Sequence, residues 1–210
     1  MIEARHRMPT QSAEERKHNF DEVALGYTAQ LALDEAQRCL NCKNAPCMSG
    51  CPVGVRIPDF IAHVKKGDME EAYRTIKQDN NLPAICGRVC PQENQCEKHC
   101  VRKDKLGGSV AIGNLERYVA DYAAKSGFAE HTVAEKIGKR VAIVGSGPSS
   151  LSCAADLARA GVDVTIFEAL HEAGGVLVYG IPEFRLPKSL VKEEIEKVCS
   201  LGVKIEKNVV

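Results

Sequence analysis

The 210-residue chain has no tryptophan, and only 5% of its residues are aromatic. That leaves little for a nucleic-acid surface built on base stacking. The formal net charge is zero, so no polyanionic partner is implied. No apolar run approaches the length of a membrane span. The polar start, Met1 to Asn19, lacks the apolar core of a signal peptide. These absences lead us to expect a cytoplasmic chain that binds neither nucleic acid nor membrane. The 44% apolar content is ordinary for a globular chain, and the length allows one large domain or two small ones.

Cysteine, by contrast, is abundant. Eight of the ten fall in two tight groups, Cys39-x2-Cys42-x4-Cys47-x3-Cys51-Pro52 and Cys86-x3-Cys90-Pro91-x4-Cys96-x3-Cys100. In a cytosolic chain such clustering points to metal rather than to disulfides. Soft thiolates suit zinc as well as iron–sulfur clusters. Zinc sites usually show two separated C-x2-C knuckles, whereas the first group crowds four Cys into thirteen residues. Each group also carries a Cys-Pro pair, as in ferredoxin-type loops. Two four-thiolate clusters, one per group, are the simplest arrangement. In two-cluster ferredoxins, however, the Cys before Pro serves the other cluster, and by analogy Cys51 would leave its own group. The competing reading is a zinc-stapled docking module without catalysis. Cys153 and Cys199 lie in helical patterns and are expected to be packing residues.

Along the chain, residues 1–26 read as a loosely held arm, 27–138 as a helical cysteine-rich domain and 139–210 as the start of an α/β domain. From Thr28, as N-cap, the pattern Leu31, Leu33, Ala36, Leu40 predicts a helix that delivers Cys39 and Cys42. Pro58 opens a second helix with an apolar face of Ile57, Phe60, Ile61 and Val64, stopped by Gly67. Asp68 caps a third, with Glu71 placed for a capping box and Met69, Ala72, Tyr73 and Ile76 as its stripe. A further helix is expected from about Ser109 to Lys125, then a connector over 127–138.

Lys139–Val144 is a β-branched run entering Gly145-Ser146-Gly147. Pro148–Ala160 is helical in pattern, and Val162–Phe167 is a second strand closed by Glu168. This is a β-α-β unit. Tight glycines let backbone N–H groups approach a pyrophosphate at a positive helix end. Glu168, about twenty residues on, is placed to accept ribose hydroxyls. Ser150 stands where a third Gly or Ala is usual. The pair Gly174-Gly175 suggests close backbone approach to a bulky cofactor, without deciding between FAD and a nicotinamide. A last helix over Lys188–Leu201 leads to a strand at Val203–Glu206.

Taken together, the Cys39–Cys51 run, Cys90-Pro91-x4-Cys96-x3-Cys100, Ile112-Gly-Asn-Leu-Glu116-Arg117, Gly145-Ser-Gly-Pro148, Phe167-Glu168, Gly174-Gly175 and Tyr179-Gly-Ile-Pro-Glu-Phe-Arg-Leu-Pro187 resemble the small chain of NADPH-dependent glutamate synthase. The same module occurs in the N-terminal part of dihydropyrimidine dehydrogenase and in the flavin subunit of bifurcating ferredoxin:NADP oxidoreductases. The resemblance implies an α-helical iron–sulfur domain followed by the beginning of an α/β Rossmann-like FAD-binding domain, truncated relative to the family. It implies two [4Fe–4S] clusters, one on Cys39, Cys42, Cys47 and Cys100, the other on Cys51, Cys90, Cys96 and Glu116, with Cys86 a spare thiol. It assigns Gly145, Ser146, Gly147, Pro148 and Ser149 to the FAD pyrophosphate, Glu168 to the adenosine ribose, and Gly175 and Arg185 to the rest of the flavin. No side chain is given an acid–base role.

The implied function is electron transfer from NADPH through FAD and the clusters to a large catalytic subunit, with ferredoxin or a pyrimidine as alternative acceptors. Relatives carry a further NADPH domain and a returning FAD segment. The chain therefore reads as a piece of a longer protein, and retained FAD is expected to be weak or absent.

Overall fold

The computed structural model describes residues 4–104, 107–128 and 133–210. They form two compact units, one of residues 4–19 and 23–128 and one of residues 20–22 and 133–210.

The first unit is helical. Short α1 (Ala13–Arg16) is followed by α2 (Ala29–Gln37), α3 (Pro46–Ser49), α4 (Ile57–Lys66), α5 (Met69–Lys77), α6 (Pro83–Val89) and α7 (Ile112–Ser126). Two 3₁₀ turns, Gln92–Asn94 and Glu97–His99, lie between α6 and α7. Caps fall where the residues demand. Thr28 accepts from the Leu31 N–H, and Asp68 from the Glu71 N–H. Gly67 ends α4 at φ 77°, the left-handed region that favours glycine. The expected faces of α4 and α5 are buried in one core with Leu115, Val119 and Ala123 of α7. Gly87 lets α6 lie directly on α7, since a Cβ there would stand 2.6 Å from the Arg117 nitrogen.

Three expectations need correction. The inward face of α2 is Ala32, Glu35 and Ala36, while Leu40 lies beyond the helix and is 43% exposed. Glu35 can face inward because the buried Arg38 guanidinium meets it at 2.6 Å. The arm, over its described residues 4–26, is not loosely held. Arg5 pairs with Glu97, His6 bonds Glu35 through its backbone N–H and ring, and Thr10 bridges Ala24. Finally, α7 begins at Ile112 rather than Ser109, because the carbonyls of Gly107, Gly108 and Ser109 accept from Arg38.

The second unit holds β1 (Arg140–Val144), α8 (Pro148–Arg159), β2 (Asp163–Glu168), α9 (Val176–Tyr179), α10 (Lys188–Ser200) and β3 (Lys204–Lys207). The strands form a parallel sheet in the order β1-β2-β3, with Val141 opposite Val164 and Ile166 opposite Ile205. The end of the connector is tied to this unit by Ala134 N–H to Arg159 O and Ile137 N–H to Gly161 O. Cys153 is exposed on α8 and so does not pack in a core; Cys199 is half-buried. Among the described residues, no helix is long and apolar enough to cross a membrane.

Candidate iron–sulfur and dinucleotide sites

The first cysteine loop is built on constrained backbone. After α2, Asn41 and Ala45 both take positive φ, 49° and 35°. Asn tolerates this region, whereas Ala is strained there. The turn carries Cys42 past Cys39 and starts α3, which bears Cys47. Cys39, Cys42, Cys47 and Cys100 line a single pocket whose wall includes Ile57, Pro58, Ile61 and Ile112. Cys100, from the second group, thus joins three residues of the first. Its Sγ accepts from the Val110 N–H at 3.5 Å. Burial pushes the Cys39 thiol up, and lifts Cys47 to about 11 with help from Cys39 and Cys100. Lys65 donates to the Cys39 carbonyl at 2.7 Å, setting a cation beside the pocket.

The remaining predicted ligands form a second neighbourhood. Cys90 closes α6, Cys96 precedes the second 3₁₀ turn, and Glu116 sits on α7 at 9% exposure. The Cys96 thiol is raised by burial, then by the charges of Glu97, Glu116 and Cys51. Burial and the nearby Cys90 push Glu116 up to about 8, against a hydrogen bond from Asn80. Cys90 is lowered to about 7 by the hydrogen bond it accepts from Cys86, whose own thiol is driven up.

Gly50 lets the two cysteine loops touch: a Cβ there would stand 2.5 Å from the His99 ring and 2.8 Å from the Gln95 carbonyl. Sequence reading missed Gly50 and Asn80. A glycine beside Cys51 was the available signal for the first; nothing local marks the second. The thiols ring their pockets rather than meeting at a point. Among the described residues, no three Cys, His, Asp or Glu side chains converge tightly enough to hold a single metal ion. The donor set still fits an iron–sulfur cluster: four soft thiols around a mostly apolar pocket, with Cys39 and Cys47 held protonated by burial until a metal displaces the protons.

In the second unit the loop Gly145–Gly147 joins β1 to α8, whose first turn carries Pro148 and Ser149. No side chain caps α8, and a Cβ at Gly145 or Gly147 would meet nothing within 4 Å. Open space thus lies against a helix N-terminus, the arrangement that a pyrophosphate fits. Pro148 opens the helix. Gly175, at φ 53°, brings its backbone onto the loop, since a Cβ there would stand 3.0 Å from the Gly147 Cα.

Glu168 is already engaged. It accepts from the Ser146 N–H at 2.8 Å, from the Ser146 hydroxyl, and from the Leu170 N–H at 2.8 Å. The Ser146 and Leu170 bonds hold the carboxyl below its ordinary value. The Ser146 hydroxyl in turn accepts from the Gly174 N–H at 3.0 Å, linking both glycine motifs. Arg185 is exposed in the turn before Leu186 and is not drawn into this group. A residue the sequence did not flag, Lys188, ties the same turn by donating to the carbonyls of Leu177, Ile181 and Leu186.

Comparison with known proteins agrees with both halves. Residues 16–128 match the family described as dihydropyrimidine dehydrogenase domain II, 4Fe-4S cluster. Residues 143–180 match the family described as NAD(P)-binding Rossmann-like domain. The class is thus an iron–sulfur domain followed by a Rossmann-like nucleotide-binding start. The chain belongs to the first of these families, which matches more than half of it.

Among curated relatives, a protein of Escherichia coli (strain K12) named as an oxidoreductase, AegA, is 43% identical over 93% of this chain and 30% of its own length. The glutamate synthase [NADPH] small chain of Azospirillum brasilense is 36% identical, over 96% of this chain and 42% of its own. The NAD-dependent dihydropyrimidine dehydrogenase subunit PreT of Escherichia coli (strain K12) is 37% identical, over 92% and 47%. The chain therefore spans less than half the length of these relatives.

Proposed function

We propose that this chain is the electron-transfer part of an NAD(P)H-dependent oxidoreductase, in which electrons pass from NADPH through FAD to two [4Fe–4S] clusters and on to a larger catalytic subunit. The observation that carries this reading is the pocket where Cys100 joins Cys39, Cys42 and Cys47. These four would hold one cluster. Cys51, Cys90, Cys96 and Glu116 would hold the other, leaving Cys86 spare.

When bound, the flavin exchanges a hydride for single electrons and the clusters relay them. The chain's own residues would set the conditions. Ile57, Ile61 and Ile112 keep water from the first site, and burial of this kind is one determinant of potential. Glu116 adds a negative ligand, which favours the oxidised form. The loop residues Gly145, Ser146, Gly147, Pro148 and Ser149 would hold the FAD pyrophosphate, with the N–H groups of Gly147 and Ser149 as donors, since those of Gly145 and Ser146 go to the Phe167 carbonyl and to Glu168. Glu168, at the end of β2 beside the loop, would accept the adenosine ribose hydroxyls. Gly175 and Arg185 would meet the rest of the flavin. Relatives named as small chain of glutamate synthase and as a dihydropyrimidine dehydrogenase subunit support a glutamate synthase-like partner first, with a pyrimidine-reducing partner second.

The test is metal content. Anaerobically reconstituted protein is expected to hold about eight iron and about eight sulfide per chain, as two four-iron clusters require. Stoichiometric zinc without sulfide would contradict the reading and favour a zinc-stapled docking module.

A further inference from the structure

We propose that Asn80 is the positioning residue that aims the Glu116 carboxylate at the Cys51–Cys90–Cys96 cluster and sets that cluster's potential. The inference rests on the ligand set given under the proposed function.

Asn80 lies just beyond α5 and is 6% exposed. The Leu82 backbone N–H, which can only donate, meets the Asn80 side chain at 3.0 Å, so the atom it meets is Oδ1. The amide is thereby oriented, and Nδ2 faces Glu116 Oε1 at 2.6 Å. The same Oδ1 lies 3.5 Å from the Cys86 sulfur. One buried amide thus sorts the two neighbours that could serve as fourth ligand. Its donor side holds the carboxylate, and its acceptor side takes the thiol. Partners of this kind fix ligand orientation and metal affinity, with effects of about 10–100-fold when removed. A hydrogen bond to a ligand atom also draws charge from it. Removing the bond leaves the ligand more electron-rich and the cluster harder to reduce.

The experiment uses the full chain, reconstituted anaerobically, with potentiometric titration followed by electron paramagnetic resonance. Glu116→Ala identifies the signal that depends on Glu116. Asn80→Ala and Asn80→Asp are expected to move that same signal to lower potential and leave the other unchanged. Asn80→Asp should move it further, because it sets a second carboxylate against Glu116 while keeping the acceptor for Leu82. It also keeps the test decisive if the alanine variant does not fold. Iron of the affected cluster should pass to a chelator about 10-fold faster.

Two results overturn the inference while Glu116→Ala still acts. In one, both Asn80 variants leave the Glu116-dependent signal and its chelator lability unchanged. In the other, both signals move equally, as a general lesion of the fold would make them. If Glu116→Ala alters neither signal, the ligand reading itself falls, and the role of Asn80 with it.

Discussion

Glu168 is held by hydrogen bonds that the sequence reading did not foresee. It was legible as the acid at the end of a second strand, with the ribose as its target. Its hydrogen bonds to Ser146 and Leu170 were not legible, because the first depends on how the glycine loop meets the end of β2 and the second on the turn that follows the strand. Those bonds hold its carboxyl below the ordinary range. A folded-state value below the unfolded one gives stability that is complete above the ordinary carboxylate range and is lost as pH falls through the folded value. Glu168→Gln should therefore cost about 1–3 kcal/mol at neutral pH, the usual worth of hydrogen bonds to a charged group. The deficit should shrink on acidification below the carboxylate range. Paired thermal melts of the two proteins at neutral and acid pH measure this. A deficit independent of pH would mean that the bonds do not depend on charge. The same limit applies to the cysteines. Their identity as metal-ligand candidates was plain from spacing. The contact of Gly50 with His99 and Gln95, and the Asn80–Glu116 bond across thirty-six residues, belong to the tertiary structure alone.

Among the elements, α4 and α5 were readable because their apolar positions recur at helical spacing and their ends carry proline, glycine and aspartate in the positions those residues favour. The α2 helix was read correctly in its N-cap but not in its end, which falls at Gln37, or in its buried face. Helical periodicity assigns inward positions to leucine, and here a charged pair takes one. Arg38 links Glu35 at 2.6 Å to the carbonyls of Gly107, Gly108 and Ser109, so it joins the helix before Cys39 to the segment after Cys100. Glu35 also receives the N–H groups of His6 and Ala111, and these with Arg38 outweigh the burial that would raise it. Breaking one side of such a pair leaves a buried charge. Arg38→Met should cost about 3–5 kcal/mol, measured by urea denaturation of the apoprotein. A loss below about 1 kcal/mol, the worth of an exposed pair, would remove Arg38 from this role.

For the whole molecule, the division into a helical cysteine-rich unit and a parallel α/β unit was legible, since composition and periodicity change together near residue 139. The match to the iron–sulfur family over residues 16–128 bears out the first half of that fold. An exchange of cysteines between the groups was expected only from the Cys-Pro analogy with ferredoxins and from the family resemblance. Spacing alone favours one cluster per group, and only the chain's return over Gly50 brings Cys100 into the pocket of Cys39, Cys42 and Cys47. The central claim is that the two proposed clusters are interlocked in this way. Electron paramagnetic resonance of the reduced, reconstituted chain tests it most directly, with Cys42→Ser and Cys90→Ser marking the two signals. Cys100→Ser should alter the signal that Cys42→Ser alters, and Cys51→Ser the one that Cys90→Ser alters. If Cys100→Ser instead strikes the Cys90 signal and Cys51→Ser the Cys42 signal, each group holds its own cluster and the interlocked account is wrong.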